Sequence, residues 1–195
     1  MAGLVQLTRP LKPGRLTCVL KIRGVNVYVH WTVFVIAIFM LTGTISRPVM
    51  TLVGITCYLG VLLIHECGHM IAAQRLGCRV NFIELYPIHG CCCIEIPWSR
   101  FDHCIIAWGG VLAQLVVALP LVVWLGVFGY TRFDAINAVL AILGGFSLLV
   151  AVFNLIPGGR LDGTVAWGLI PEWFKRERAR RARRAAKRTT NWRTY

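Results

Sequence analysis

Apolar residues occur along this chain in long runs rather than at the spacing of an element with one buried face. Four runs, at residues 29–45, 49–73, 105–128 and 135–155, cross or nearly cross a hydrocarbon core of about 30 Å. A fifth run, at residues 161–170, is too short to cross and follows the helix-breaking sequence Pro157-Gly158-Gly159. The pattern predicts an α-helical polytopic membrane protein with about four spanning helices and a short broken fifth helix. Because a broken backbone at membrane depth needs protein or a water-filled cavity around it, the break itself indicates a site.

Two segments beside these runs alternate apolar and polar residues. Residues 79–98 alternate around Pro87 and the pair His89-Gly90, and residues 17–30 alternate around Gly24 and Asn26. Such alternation around turn residues predicts small β-hairpins, one in the N-terminal arm and one in the loop between the second and third spans. We therefore divide the chain into an arm (1–28), a membrane-embedded core (29–171) and a basic tail (172–195).

Composition and charge agree with a multi-pass membrane protein. Hydrophobic residues make up 57% of the 195, with a mean hydropathy of +0.66, above the level usual in soluble domains. The net charge is +13, but ten of the 21 Lys and Arg residues lie between Lys175 and Arg193 and five precede Gly24. Clusters at the ends of a membrane protein set its topology and contact anionic lipid head groups, so we expect lipid contact by the tail and no nucleic-acid binding. We expect no cleavable signal peptide, since residues 1–24 contain no apolar run long enough.

The distribution of basic residues also predicts an orientation. With both termini in the cytoplasm, the arm, the 74–102 loop and the tail hold five, three and ten Lys and Arg residues, whereas the outer loops hold only Arg47 and Arg132. This asymmetry favours both termini inside. The oligomeric state is open, although Gly109-Gly110 and Gly144-Gly145 allow close helix approach.

The chain has eight cysteines, which we interpret as reduced. Cys91, Cys92 and Cys93 are adjacent, and this is not the spacing of a structural zinc site. A second metal at this triplet is the alternative interpretation.

The second apolar run contains the chemistry. His65-Glu66-Cys67-Gly68-His69 fits the pattern H-E-x-x-H, which on a helix places two imidazoles one turn apart on one face, so that both can bind one zinc ion. Glu66 is then placed to take a proton from the attacking water. A glutamate between two histidines in an apolar helix is costly unless a metal or partner compensates it. The alternative is a packed polar cluster without metal.

A catalytic zinc ion usually has a third protein ligand. A third histidine at the extended spacing is absent, because Ala72 and Arg75 hold those places. Among the acidic residues only Asp162 lies in an apolar setting at a matching depth, and it could instead cap the short helix that follows it. Asn154 has two interpretations as well, as an active-site amide or as a helix C-cap before the break.

The two motifs together, His65-Glu66-x-x-His69 and Asn154-x-x-Pro157-x-x-x-Leu161-Asp162-Gly163, resemble the paired signature of the site-2 protease family of intramembrane zinc metalloproteases. The resemblance covers roughly residues 20–170. It implies a three-helix catalytic core and one Zn²⁺ per chain, held by the two histidines and Asp162. It also implies that Glu66 is the base and that Asn154 acts near the metal. The sequence departs from many relatives in the third span, where Gly110 and Gln114 stand in place of a proline and an asparagine, and at His89-Gly90.

The resulting hypothesis is an intramembrane zinc metalloprotease that cleaves within or near transmembrane segments of membrane-anchored substrates, in regulated intramembrane proteolysis. The 79–97 hairpin could hold an unwound substrate segment by strand addition. The alternative is a catalytically inactive zinc-binding membrane scaffold, which has no need of a base at Glu66. A metal transporter fits less well, since the polar residues cluster at one depth instead of crossing the bilayer.

Overall fold

The computed structural model describes residues 16–43, 47–95, 97, 99–159 and 161–191. The first fifteen residues of the predicted arm, the end of the first apolar run and the last four residues of the tail lie outside these ranges.

Four strands form one sheet in the order β1-β2-β3-β4. Strands β1 (Leu16–Ile22) and β2 (Val25–His30) are antiparallel, and so are β3 (Val80–Leu85) and β4 (Gly90–Ile94). Arg23 and Gly24 connect β1 to β2 with φ values of 48° and 87°, as a two-residue hairpin turn requires. Strands β2 and β3 pair in parallel, so the two segments predicted as separate hairpins belong to a single sheet.

Two of the long helices pack against each other in antiparallel directions. Helix α1 spans Trp31–Gly43, α2 spans Pro48–Arg75 and α3 spans Arg100–Phe128. A Cβ on Gly68 of α2 would overlap the backbone of Gly109 on α3, and one on Gly109 would lie 2.6 Å from the Gly68 carbonyl oxygen. Glycine at both positions therefore lets the two backbones touch. The Gly109-Gly110 pair that could have served an oligomer interface packs against α2 of the same chain.

The third long helical span is composite. It consists of α4 (Asp134–Val139), a π-helical segment (Leu140–Phe146) and α5 (Ser147–Asn154), which run on without interruption. A Cβ on Gly144 in the π-helical segment would lie 3.1 Å from Leu121 Cβ on α3. This close approach brings the last span against α3.

Three helices in the described ranges are long and apolar enough to cross a membrane, and α1 is shorter. Its 13 residues measure about 20 Å, less than the hydrocarbon thickness. The prediction of about four spans therefore differs from the structure at the first run. One physical reason is that β2 takes Val29 and His30 into the sheet, so the described part of that run is helical from Trp31 to Gly43.

The chain after α5 returns toward the other helices. Residues 155–162 lead into the one-turn helix α6 (Gly163–Ala166) and then into α7 (Leu169–Asn191). The predicted short fifth helix at 161–170 is thus divided, and its last residues begin a long helix that continues through the tail. The boundary placed between core and tail at residue 171 falls inside α7.

The apolar core beside the site lies between the sheet and α2. Val27 of β2 and Ile83 of β3 are fully buried, and both pack with Met70 and Ala73 on α2. This packing places the edge strand β4 alongside the helix that carries the H-E-x-x-H sequence.

Candidate metal centre

Three side chains predicted as metal ligands converge on one point. His65 and His69 project from the same face of α2, and their Nε2 atoms lie 3.0 Å apart. Asp162 Oδ2 lies 2.9 Å from His65 Nε2 and 3.2 Å from His69 Nε2. The three residues are buried, with relative exposures of 9%, 8% and 5%. Among the described residues they are the one group of three or more potential ligands close enough to share an ion.

The orientation of the Asp162 side chain bears on the two interpretations of this residue, as a metal ligand or as a helix cap. It occupies the position before α6, yet its side chain makes no capping hydrogen bond. Its backbone carbonyl instead accepts from the N–H groups of Val165 and Ala166. The carboxylate points at the histidine pair, so the capping role is not adopted.

The far sides of both imidazoles are held by hydrogen bonds. His69 Nδ1 lies 2.8 Å from the carbonyl oxygen of Ile106, and His65 Nδ1 lies 2.9 Å from Oε1 of Gln114. A backbone carbonyl can only accept, so the proton of neutral His69 lies on Nδ1 and the lone pair on Nε2. The Gln114 contact, with the amide oxygen toward the ring, does the same for His65.

This arrangement fits a metal ion. Two imidazole lone pairs and a carboxylate oxygen face one another, and the buried Asp162 Oδ2 receives no hydrogen bond of acceptable geometry despite its two close nitrogen neighbours. Such a set of acceptors is mutually repulsive until a cation or a proton lies between them. Two nitrogens and one carboxylate oxygen, with a further position left open, form a donor set typical of catalytic zinc.

Glu66 lies between α2 and the edge of the sheet. It is 5% exposed, and a Cβ on Gly90 of β4 would overlap its carboxyl group. The backbone N–H of Cys92 on the same strand is within hydrogen-bonding reach of the Glu66 carboxylate. Strand β4 therefore fixes the carboxylate beside the histidine pair, and glycine at position 90 makes the space for it.

Gly110 on α3 has no side chain that would cover the imidazole rings of His65 and His69. A Cβ there would lie 2.6 Å from His69 Nε2 and 2.7 Å from His65 Cε1. Any larger residue would press on the two imidazoles where they face Asp162. Gly110, one of the positions at which the sequence departs from the family pattern, therefore lines the candidate metal centre.

Gln114 was not predicted as a site residue. It is fully buried and holds His65 through the contact described above. A sequence signal for it exists, because Gln114 is the strongly polar residue in the otherwise apolar run 105–128, and polar residues inside a membrane usually serve function. The Ile106 carbonyl carries no such signal, since every residue has one.

The role of Asn154 stays a prediction. It is the last residue of α5 and is half-buried, and its side chain makes no hydrogen bond with the residues that the structure describes. Neither an active-site role nor a capping role is tested by these contacts.

The cysteine triplet is close to the site but separate from the ligand group. Cys91 and Cys93 lie on one face of β4 with their sulfurs 3.9 Å apart, and all eight cysteines are free. The hydrogen bond between Cys91 and Cys93 lowers the pKa of the Cys91 thiol. His89, at the turn before β4, is exposed and stacks on Tyr86 at a ring distance of 4.8 Å.

Comparison with known proteins gives a consistent set of relatives. No family model matches the chain. Rip3 of Mycobacterium tuberculosis, provisionally named a zinc metalloprotease, is 31% identical over 161 residues, which cover 73% of this chain and 40% of Rip3. A protein of Synechocystis with the same provisional name, sll0528, is 34% identical over 108 residues, which cover 51% of this chain and 26% of that protein. The zinc metalloprotease MJ0392 of Methanocaldococcus jannaschii is 26% identical over 151 residues, which cover 73% of this chain and 42% of that protein.

A solved structure shares the fold. The site-2 protease from Methanocaldococcus jannaschii superposes with a TM-score of 0.61 at 21% identity, covering 80% of this chain and 71% of that one. The chain spans less than half the length of the curated relatives it matches. Its three long apolar helices make it a membrane protein. With the two motifs, the shared fold and these relatives taken together, the chain belongs to the site-2 protease family.

Proposed function

We propose that this chain is a membrane-embedded zinc metalloprotease that hydrolyses peptide bonds within or near transmembrane segments of membrane-anchored substrates. The observation that carries the proposal is the convergence of Asp162 with His65 and His69, beside Glu66, on the apolar helix α2. The relatives support it, because they are named zinc metalloproteases. Regulated intramembrane proteolysis is the biological setting that this activity fits.

One Zn²⁺ per chain would be held by His65 Nε2, His69 Nε2 and a carboxylate oxygen of Asp162. When bound, zinc supplies Lewis-acid chemistry that makes water more acidic and polarises a peptide carbonyl. Gln114 and the Ile106 carbonyl hold the two rings in the tautomer that presents Nε2 to the ion. The protein therefore presents three ligands in a preformed arrangement.

Glu66 acts as the general base. Its carboxylate takes a proton from the attacking water and later gives it to the leaving amine of the substrate. Strand β4 restricts the carboxylate to one position, because Gly90 and Cys92 lie against it. Asn154 donates a hydrogen bond to the carbonyl oxygen as negative charge develops there.

The site lies toward one end of the second span. Six to ten residues separate His69 and His65 from Arg75 at the end of α2, which is about 9–15 Å of helix. The excess of Lys and Arg in the arm, the 74–102 loop and the tail supports the orientation in which this end and both termini face the cytoplasm. Cleavage would then occur in the cytoplasmic half of the bilayer.

Strand β4 offers a way to hold the substrate. It is the last strand of the sheet, next to Glu66, and an unwound substrate segment can extend the sheet by pairing with a free strand edge. Proline substitutions at alternate positions of β4 test this pairing. Where the replaced N–H points away from the sheet, proline removes a donor from the free edge and should slow cleavage of membrane substrates. Equal rates for all such variants would argue against strand addition.

The test of the function compares Glu66→Gln with wild type on a reporter that has one transmembrane segment. The variant should keep its zinc and lose cleavage by at least about 10²-fold, since proton transfer contributes that much or more. Glu84→Gln is the matched control, because Glu84 bonds to Tyr86 on the sheet and should leave cleavage unchanged. An inactive scaffold or a transporter would keep its output in Glu66→Gln, and that result would contradict the proposal.

A further inference from the structure

Helix α7 carries charge of predominantly one sign. Its 23 residues include nine Lys and Arg and two glutamates. Both glutamates are paired within the helix, Glu172 with Lys175 at 2.9 Å and Glu177 with Arg181 at 3.2 Å. Four exposed arginines, namely Arg178, Arg180, Arg183 and Arg184, have no acidic partner among the described residues. Their charge is available to an external anion.

Arg176 fixes α7 to the start of α3. Its guanidinium donates to Ser99 Oγ at 2.7 Å, lies 3.9 Å from the Phe101 ring centroid and lies 3.9 Å from Asp102 Oδ1. Ser99 is itself the N-cap of α3. Because α3 is long and apolar enough to cross a membrane and begins at Arg100, these contacts place α7 beside the end of a candidate span.

The first turns of α7 expose apolar side chains at that level. Ile170, Trp173 and Phe174 are 53%, 53% and 52% exposed, and the two aromatic rings lie 5.0 Å apart. Arg176, which contacts α3, lies on a different side of the helix from Ile170 and Phe174 by the 3.6-residue period. An exposed aromatic patch at the edge of a span is typical of the boundary between head groups and acyl chains.

The same face of α7 becomes basic in the following turns. Steps of three and four residues from Trp173 and Phe174 lead through Glu177 to Arg180, Arg181 and Arg184. One side of the helix therefore presents first apolar rings and then guanidinium groups. Helices that lie in a membrane interface combine such apolar and basic side chains.

We propose that α7 lies on the surface of a bilayer that contains anionic lipids, with the face defined by Ile170, Trp173, Phe174, Arg180, Arg181 and Arg184 toward the membrane. The apolar side chains enter the boundary of the acyl chains, and the arginines contact lipid phosphates. The fixed position beside α3 and the exposed rings favour a lipid surface over a nucleic acid, which would use the charge but not the apolar patch. This interaction does not depend on cleavage.

The test uses the full chain reconstituted in vesicles with chain-brominated lipid, which quenches nearby tryptophan fluorescence. Trp173→Phe, measured in parallel, isolates the contribution of Trp173 by difference. We expect brominated phosphatidylglycerol to quench Trp173 more strongly than brominated phosphatidylcholine at low salt. The difference should shrink at 1 M salt, where the screening length is about 3 Å.

Matched variants locate the lipid-binding face. The triple variant Arg180→Gln, Arg181→Gln, Arg184→Gln should lose the preference for phosphatidylglycerol. The control triple Lys175→Gln, Arg178→Gln, Arg183→Gln removes the same charge from the other sides of α7 and should keep it, with equal zinc content confirming the fold of both. Equal quenching by the two lipids, or equal loss in the two triples, would overturn the proposal. The proposal would also be overturned if neither lipid quenched Trp173 fluorescence while an added oligonucleotide changed it.

Discussion

Gln114 is the residue whose effect on the metal centre can be worked out most directly. Its Oε1 lies 2.9 Å from His65 Nδ1, and both groups are buried. Replacing Gln114 with Leu keeps a similar volume but leaves the His65 N–H unpaired, which costs about 1–3 kcal/mol. Partners behind a metal-binding histidine typically contribute about 10–100-fold in metal affinity, and the two estimates agree at about tenfold per 1.4 kcal/mol.

We therefore expect Gln114→Leu to bind zinc about 10–100-fold more weakly than wild type. The stability of the metal-free protein should change less than the zinc affinity, because Leu also removes Gln114 Nε2, a buried group without a hydrogen-bond partner among the described residues, and this offsets part of the cost of the unpaired His65 N–H. Gln114→Glu keeps an acceptor and should retain most of the affinity.

The assay is a zinc titration in detergent against a fluorescent chelator, with thermal unfolding of the metal-free protein in parallel. Ser147→Ala is the control, since this hydroxyl is equally buried and also lacks a partner in the described part of the chain. If Gln114→Leu binds zinc within twofold of Ser147→Ala, the argument that the amide orients His65 is refuted.

Two glycine substitutions separate packing from chemistry. Gly68→Ala should lower the unfolding temperature, because its Cβ would overlap the Gly109 backbone and overpacking costs about 1–3 kcal/mol; Gly145→Ala, with open space around it, should not, and equal unfolding curves would disprove the close contact. Gly90→Ala should keep zinc but slow cleavage, because its Cβ would displace the Glu66 carboxyl group; zinc analysis and reporter cleavage check this, and wild-type cleavage would contradict it.

Most of the candidate metal centre could be predicted from the sequence because the spacing of its residues is local. His65 and His69 are one helical turn apart, so the helix alone brings their rings together, whatever the rest of the fold does. Asp162 could be found because acidic residues are scarce and an apolar setting makes one costly. The direction of the Asp162 side chain could not be predicted, because a carboxylate before a helix can either cap that helix or point away from it.

The sheet could not be predicted in full because its central pairing is not local. Alternation predicts that β2 and β3 are strands, but no local pattern shows that they pair in parallel across α1 and α2. The start of α1 could not be predicted for the same reason, because the pairing of β2 takes the first residues of the first apolar run into the sheet. Gln114 stands out in the sequence as a polar residue in an apolar run, but its contact with His65 depends on how α2 and α3 pack.

The most direct test of the candidate metal centre is the zinc content per chain of detergent-purified protein, for wild type, Asp162→Ala and the control Asp134→Ala. Asp134 is an exposed acidic residue paired with Arg47 at 3.9 Å, so its loss removes a carboxylate away from the site. We expect close to one zinc in wild type and in Asp134→Ala, and a sharp fall in Asp162→Ala. Equal zinc in all three would contradict the three-ligand site, and so would a wild type that takes up no added zinc.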